Sequence, residues 1–232
     1  MEKRLKTRLC LSVIWIIFLM LAISCEKADN NDPTAVKDAD GNTYHTVTIG
    51  TQEWMVENLK TTKYSDGTAI PLVTDNTDWS DLSTPGYCYY NNDNATYKNV
   101  YGALYNFYTI STGKLCPTGW HVPTDSEWTT LITFVGGENV AGGKLKELGT
   151  AHWNSPNTGA INENGFTALP GGSRDRSNGT FSGVGSSGYW WSSTVVGGTD
   201  AYIRLMTSTG EGVSRYRTIG MKGGRSVRCV KD

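Results

Sequence analysis

The sequence predicts an α+β domain built from short helices, antiparallel strands and a long irregular region, and three observations carry that expectation. Thr124-Asp-Ser-Glu127 has the spacing of a capping box, in which Thr124 and Glu127 each satisfy a backbone N–H that the first helical turn leaves unpaired. Behind it Trp128, Leu131, Ile132 and Val135 recur at intervals of three and four until Gly136-Gly137 supplies a left-handed stop. Tyr44, Thr46 and Thr48 alternate with His45, Val47 and Ile49, and Glu53–Val56 follows at hairpin distance. Finally, residues 149–188 are a run of Gly, Asn, Ser and Pro broken by Trp153, Phe166, Leu169 and Phe181, a stretch that a compact domain keeps only when it is functional or heavily hydrogen-bonded.

Composition agrees. The 232 residues are 38% hydrophobic and 19% charged, enough for one ordinary core, and 27 Gly, 8 Trp and 12 Tyr against 5 Phe suit a turn-rich domain better than a helix bundle. A formal net charge of −1 gives no case for nucleic acid as a partner.

The first 24 residues read as a lipoprotein signal peptide. Lys3, Arg4, Lys6 and Arg8 precede an apolar run from Leu11 to Ala22 that is short for a membrane span and right for an export signal. Ala22-Ile-Ser-Cys25 then resembles the bacterial lipobox, which implies that the Cys25 thiol takes a diacylglyceryl group and becomes the mature N-terminus; a plain secretory signal or an uncleaved anchor is the alternative. Residues 25–39 are a polar tether with too few large apolar side chains to order by burial. Its acidic residues are similar to the surface-export signal of some Bacteroidota lipoproteins, so the expected place is the outer membrane, on its surface or its periplasmic face, with the lipid as the sole membrane contact.

The domain is expected over residues 40–232. Asp40-Gly-Asn42 is a turn signal; Asp38, Asp40 and Asn42 open with the spacing of a calcium loop, but Ile49 stands where such a loop needs a bidentate Glu. Tyr87–Tyr90 is a short strand candidate, and Tyr101, Leu104, Tyr105 and Tyr108 recur at three and four as a first amphipathic helix. Val140–Glu147 is a weak short helix. Strands return at Tyr189–Thr194, Ala201–Met206, Gly212–Arg217 and Ser226–Val230, the middle two forming a hairpin over Ser208-Thr-Gly210.

Seven local motifs occur in order: Asp40-Gly-Asn, Ile49-Gly-Thr-Gln-Glu-Trp-Met-Val-Glu-Asn58, Tyr101-Gly-Ala-Leu-Tyr-Asn106, Gly119-Trp-His-Val-Pro-Thr-Asp-Ser-Glu-Trp128, Asn164-Gly-Phe-Thr-Ala-Leu-Pro-Gly-Gly172, Tyr189-Trp-Trp-Ser-Ser193 and Ser226-Val-Arg-Cys229. Together they resemble the Fibrobacter succinogenes major paralogous domain over nearly everything after residue 38. That family is similar to C-type-lectin-like and sulfatase-modifying-factor domains, which implies two main helices, a small twisted antiparallel sheet and a long irregular loop region. It implies no activity.

In an oxidising compartment Cys116 and Cys229 can pair, leaving Cys88 as a buried free thiol; a bridge from Cys88 to either of them is the alternative. No catalytic constellation stands out. Gly183-Val-Gly-Ser-Ser-Gly188 has the dinucleotide glycine spacing, but a Tyr-Trp-Trp strand follows where a helix N-terminus would have to hold phosphate. Ser111-Thr-Gly-Lys114 is a turn, and His45, His121 and His152 are scattered, so no metal and no cofactor are expected. The triplets by which C-type lectins bind sugar through calcium do not occur, and neither does the cysteine pair of the formylglycine-generating relatives. What remains is a density of aromatic, amide and guanidinium side chains in the second half: Trp153, Asn154, Arg174, Arg176, Trp190, Tyr202, Arg204 and Tyr216, with Arg215 beside them. Such groups stack on and hydrogen-bond to sugar rings or peptides, so the expected function is a non-enzymatic binding module for a glycan or an envelope protein, with a structural role in the envelope as the alternative.

Overall fold

The computed structural model describes residues 35–232, so the expected signal segment, the lipidation site at Cys25 and the tether up to residue 34 lie outside the described residues. Within them β1 (Val36–Lys37) and β2 (Thr43–Tyr44) flank a tight turn. β3 (Thr46–Ile49) and β4 (Gln52–Met55) are the expected hairpin. α1 (Asn76–Asp81) starts at Asp75, whose carboxylate accepts from the N–H groups of Thr77 and Asp78. β5 (Tyr87–Cys88), α2 (Asn94–Tyr101), β6 (Leu104–Tyr105) and α3 (Phe107–Ile110) follow, then β7 (Trp120–His121), α4 (Asp125–Phe134) and α5 (Ala141–Leu145). The chain ends with β8 (Gly171–Arg174), β9 (Phe181–Val184), β10 (Ser187–Val196), β11 (Asp200–Thr207), β12 (Ser214–Arg217) and β13 (Val230–Lys231).

The fold is α+β, with two principal sheets where one small sheet was expected. One has the order β12-β11-β10-β8-β9, the other β3-β4-β13-β7. The second is assembled from distant parts: β13, followed by Asp232 alone, lies between the N-terminal hairpin and β7. The capping box is present as read, Thr124 and Glu127 each bonding the other's backbone N–H, and Gly136 and Gly137 end α4 at φ of 116° and 94°. The helix expected over Tyr101–Tyr108 is instead cut into α2, β6 and α3. Gly102 stops it at a φ of 76°, in a place where a Cβ would stand 2.5 Å from the Leu59 carbonyl oxygen, so Tyr105 is delivered to a strand opposite Tyr87 rather than to a helix face.

Aromatic packing joins the sheets. Trp128 of α4 lies 4.9 Å, ring centroid to centroid, from Trp54 of β4 and 6.4 Å from Trp190 of β10, with Phe166 closing the cluster at 6.0 Å. A second cluster gathers Tyr44, Met55, Tyr105, Phe107, Trp191 and Ile203 around Cys116 and Cys229. Those two cysteines form the expected disulfide, S–S 2.01 Å, across 113 residues of sequence. Cys88 is buried and free.

The glycine-rich run is not a free loop. Between residues 149 and 188 it contributes β8 and β9 and drives Trp153, Phe166 and Ala168 into the core. Its carbonyls are met by buried cations. Lys146 Nζ donates to the carbonyls of Thr158, Thr207 and Gly210 at 2.8 to 2.9 Å and lies 5.3 Å from the centre of the Trp153 ring. Burial lowers its pKa to about 8, with Glu211 pulling the other way. Replacing Lys146 by Met strands three carbonyls together, and is expected to destabilise the domain by about 2–4 kcal/mol in denaturant unfolding. Lys144→Met, which removes only a surface pair with Glu163 at 2.9 Å, is expected to cost less than about 1 kcal/mol.

Candidate functional site

Half of the expected recognition set is turned inward. Trp153 and Trp190 are fully buried, their indole N–H groups donating to the Ala168 carbonyl and to Asn58 Oδ1, both at 2.8 Å. Arg174 is buried between the rings of Trp79 and Phe181 and donates to the carbonyls of Val73, Thr74, Asp75 and Gly179. Arg204 is buried against Asp125 at 2.9 Å. These four assignments are therefore corrected: each side chain is buried and held by partners within the fold, and offers no surface to a ligand. Asn154 and Arg176 are exposed but lie on separate loops. Tyr202, Arg204 and Tyr216 do come together on β11 and β12, where Arg215 stacks on Tyr202 at 3.6 Å and forks onto Asp125. Strand alternation puts Tyr216 on the other face of that pair, so the three do not form one site.

The surface that carries unspent chemistry is the outer face of the β3-β4-β13-β7 sheet. Strand register sets out a single row across it: Thr48 opposite Glu53, Lys231 beside Glu53, and Trp120 opposite Lys231. The neighbouring row holds Trp54 and Val230, both buried in the core, so alternation alone sends the first row outward. A hydroxyl, a carboxylate, an ammonium and an indole thus stand in line on four strands. Glu53 Oε2 and Lys231 Nζ pair at 2.7 Å and form a low wall between two grooves. One, about 510 Å3, is lined by Val36, Lys37, Ser65, Pro117, Thr118 and Trp120; the other, about 430 Å3, by Thr48, Thr51, Gln52, Glu127 and Asp232. In the first groove the side chains of Lys37, Ser65, Thr118 and Trp120 have no hydrogen-bond partner among the described residues.

None of these residues was singled out as a ligand contact by sequence. Positions 48, 53, 120 and 231 share a row only through strand pairing, and no local pattern marks them. The signal that came nearest was the Gly119-Trp-His motif, whose tryptophan proves to stand at the groove.

The groups that could have supported catalysis or metal binding are otherwise engaged. Burial pushes the Cys88 thiol up to about 12 despite Arg174 nearby, the reverse of an activated nucleophile. The histidines each have their own carboxylates: His45 with Glu57, His152 with Glu147, and His121 with Glu127 and Asp232. Asp38 caps its turn, accepting from the N–H groups of Asp40 and Asn42 and from the Tyr44 hydroxyl. Among the described residues no group of three or more His, Cys, Asp or Glu is placed to hold a metal ion.

His121 ties the sheet to α4. Its Nε2 meets Glu127 Oε1 at 2.8 Å and its Nδ1 meets Asp232 Oδ1 at 2.7 Å, beside the second groove. Burial opposes charge on the ring, but the two carboxylates outweigh it and raise the pKa above the ordinary 6.5. For Glu127 burial is outweighed by the Thr124 N–H and hydroxyl and by His121, and the pKa falls below the ordinary 4.5. A raised histidine value contributes stability that is complete below the unfolded-state pKa and is lost as pH rises through the folded one. The depressed glutamate value contributes above its unfolded pKa and is lost as pH falls through the folded one. The stability difference between the chain and His121→Asn is therefore expected to be largest near pH 5.5–6, roughly, and to shrink by about pH 9, as read by thermal unfolding across that range.

No curated protein sequence and no solved structure matches the chain. A family model does match, over residues 47–231, which takes in the whole row from Thr48 to Lys231 and the disulfide. The chain belongs to the Fibrobacter succinogenes major domain family.

Proposed function

We propose that this chain is an exported, lipid-anchored binding module that holds a saccharide on the outer face of the β3-β4-β13-β7 sheet, and that it is not an enzyme. The observation that carries the reading is the part-buried Trp120, set at the edge of a groove of about 510 Å3 among Lys37, Ser65 and Thr118. An indole supplies an apolar face for the C–H side of a pyranose ring, and donors around its rim meet the hydroxyls, the combination that gives a polar ligand both contact area and orientation. A C-type-lectin-like arrangement belongs to the same reading: helices, two sheets and an irregular half clasped by one disulfide. It is supported by the topology, with the difference that the irregular half here is sealed by buried cations and the sheet supplies the face. Export and anchoring are supported by the basic, apolar and Ala22-Ile-Ser-Cys25 segments in succession.

A second reading, an assembly component of the envelope, is favoured by β12. All four of its residues are exposed at the edge of the larger sheet, and Tyr216 and Ile219 are 52% and 69% exposed beside it.

A glycan array followed by calorimetry on the exported chain tests the first reading. Trp120→Ala is expected to weaken saccharide binding by about tenfold or more, Trp120→Phe to retain most of it, and Arg176→Ala to leave it unchanged. No saccharide bound, together with a stoichiometric protein partner lost on Tyr216→Ala, would put the second reading first. For the anchor, Cys25→Ser is expected to abolish metabolic labelling by palmitate and release the chain from membranes.

A further inference from the structure

We infer that the saccharide bound at Trp120 carries a carboxylate, as in a hexuronate, and that Lys37 is the residue that selects it; this rests on the reading of the sheet face as a saccharide site. The inference comes from which groups around the first groove still have bonding capacity. Two carboxylates line it, and the charge of each is already met. Asp38 accepts from Asp40 N and Asn42 N on one oxygen, and from Asn42 Nδ2 and the Tyr44 hydroxyl on the other. Glu53 is held by Lys231 at 2.7 Å. The side chains without a partner among the described residues are Lys37, Ser65, Thr118 and Trp120, and two of these, the ammonium and the indole N–H, can only donate.

A ligand settling into this groove therefore meets a surplus of donors and one unpaired positive charge, while the carboxylate charges that would favour an amino sugar are already met, Asp38 by four donors and Glu53 by the Lys231 ammonium. A neutral sugar hydroxyl would satisfy the donors, but it leaves Lys37 to be partly desolvated without an opposite charge. A carboxylate satisfies both at once, with a charge-assisted hydrogen bond of the stronger kind. Lys37 stands on β1 and Trp120 on β7, so ring stacking and charge recognition come from separate strands. That separation sets polarity as well as identity: the apolar face of the ring lies on the indole while the acid points to β1.

The discriminating pair of probes is an oligomer of galacturonic acid and the methyl ester of the same oligomer, which differ in charge and hardly at all in shape. In calorimetry at low ionic strength the acid is expected to bind the full exported chain at least tenfold more tightly than the ester, and the advantage is expected to shrink as salt is added. Lys37→Gln, which removes the charge and keeps an N–H donor at an exposed position, is expected to bring the acid down to the affinity that the ester shows for the same variant. Equal binding of acid and ester by the unaltered chain, or an acid preference that survives Lys37→Gln, would overturn the inference while leaving a saccharide site at Trp120 standing. Binding of neither probe, with a neutral oligosaccharide bound and lost on Trp120→Ala, would do the same. No saccharide bound at all would overturn both this inference and the reading beneath it.

Discussion

Irregular backbone inside a core needs partners for its carbonyl groups, and in this protein buried cations supply them. Lys146 gathers Thr158, Thr207 and Gly210; Arg174 gathers Val73, Thr74, Asp75 and Gly179; Arg228 reaches Phe166 and Thr167; Arg225 reaches Arg174 and Gly224. Each also lies against an aromatic ring, Trp153, Trp79 with Phe181, Phe166 and Tyr189 respectively. The arrangement solves one problem three times, and Arg225 adds a second donor to two carbonyls that backbone N–H groups already meet. A turn-rich chain cannot pair its carbonyls in long ladders, and an unpaired buried carbonyl costs about 1–3 kcal/mol. A guanidinium or ammonium group offers several donors from one side chain, and the ring beneath it replaces part of the hydration that the charge has lost.

That same solution explains why the sequence misleads about the site. Tryptophan beside arginine beside asparagine is the vocabulary of sugar recognition, and it is equally the vocabulary of a cation roofed by a ring and surrounded by backbone carbonyls. Trp153, Arg174, Trp190 and Arg204 could be read either way until their burial is known, because composition fixes what a side chain can bond and not which way it faces. The features that were legible in advance are those set by neighbours in sequence: the Thr124–Glu127 capping box, the Gly136-Gly137 stop, the β3–β4 and β11–β12 hairpins. The helix expected over Tyr101–Tyr108 fails for a reason of the opposite kind. Its aromatic spacing is helical, but Gly102 sits against the Leu59 carbonyl, a contact from more than forty positions away, and the backbone must turn there.

The proposed binding face is the extreme case of a feature that only pairing creates. Thr48, Glu53, Lys231 and Trp120 come from both ends and the middle of the chain, and their alignment depends on where β13 lies. With two residues, β13 has too few ladder bonds to hold its own register against β4 and β7. It is held from either side instead. Cys229, next to it, is bonded to Cys116 just before β7, and the Cys229 carbonyl accepts from Met55 N while Asp232 N donates to the Gly119 carbonyl. His121 then fixes Asp232 to the first turn of α4. The disulfide, the imidazole bridge and the backbone bonds are thus local to one two-residue strand, and the side chain they set in place is Lys231, the wall between the grooves. Stability and site placement converge on the same few residues here: the clasp that restricts the unfolded chain also fixes the spacing between Glu53 and Trp120, on which a ring lying across the sheet would depend.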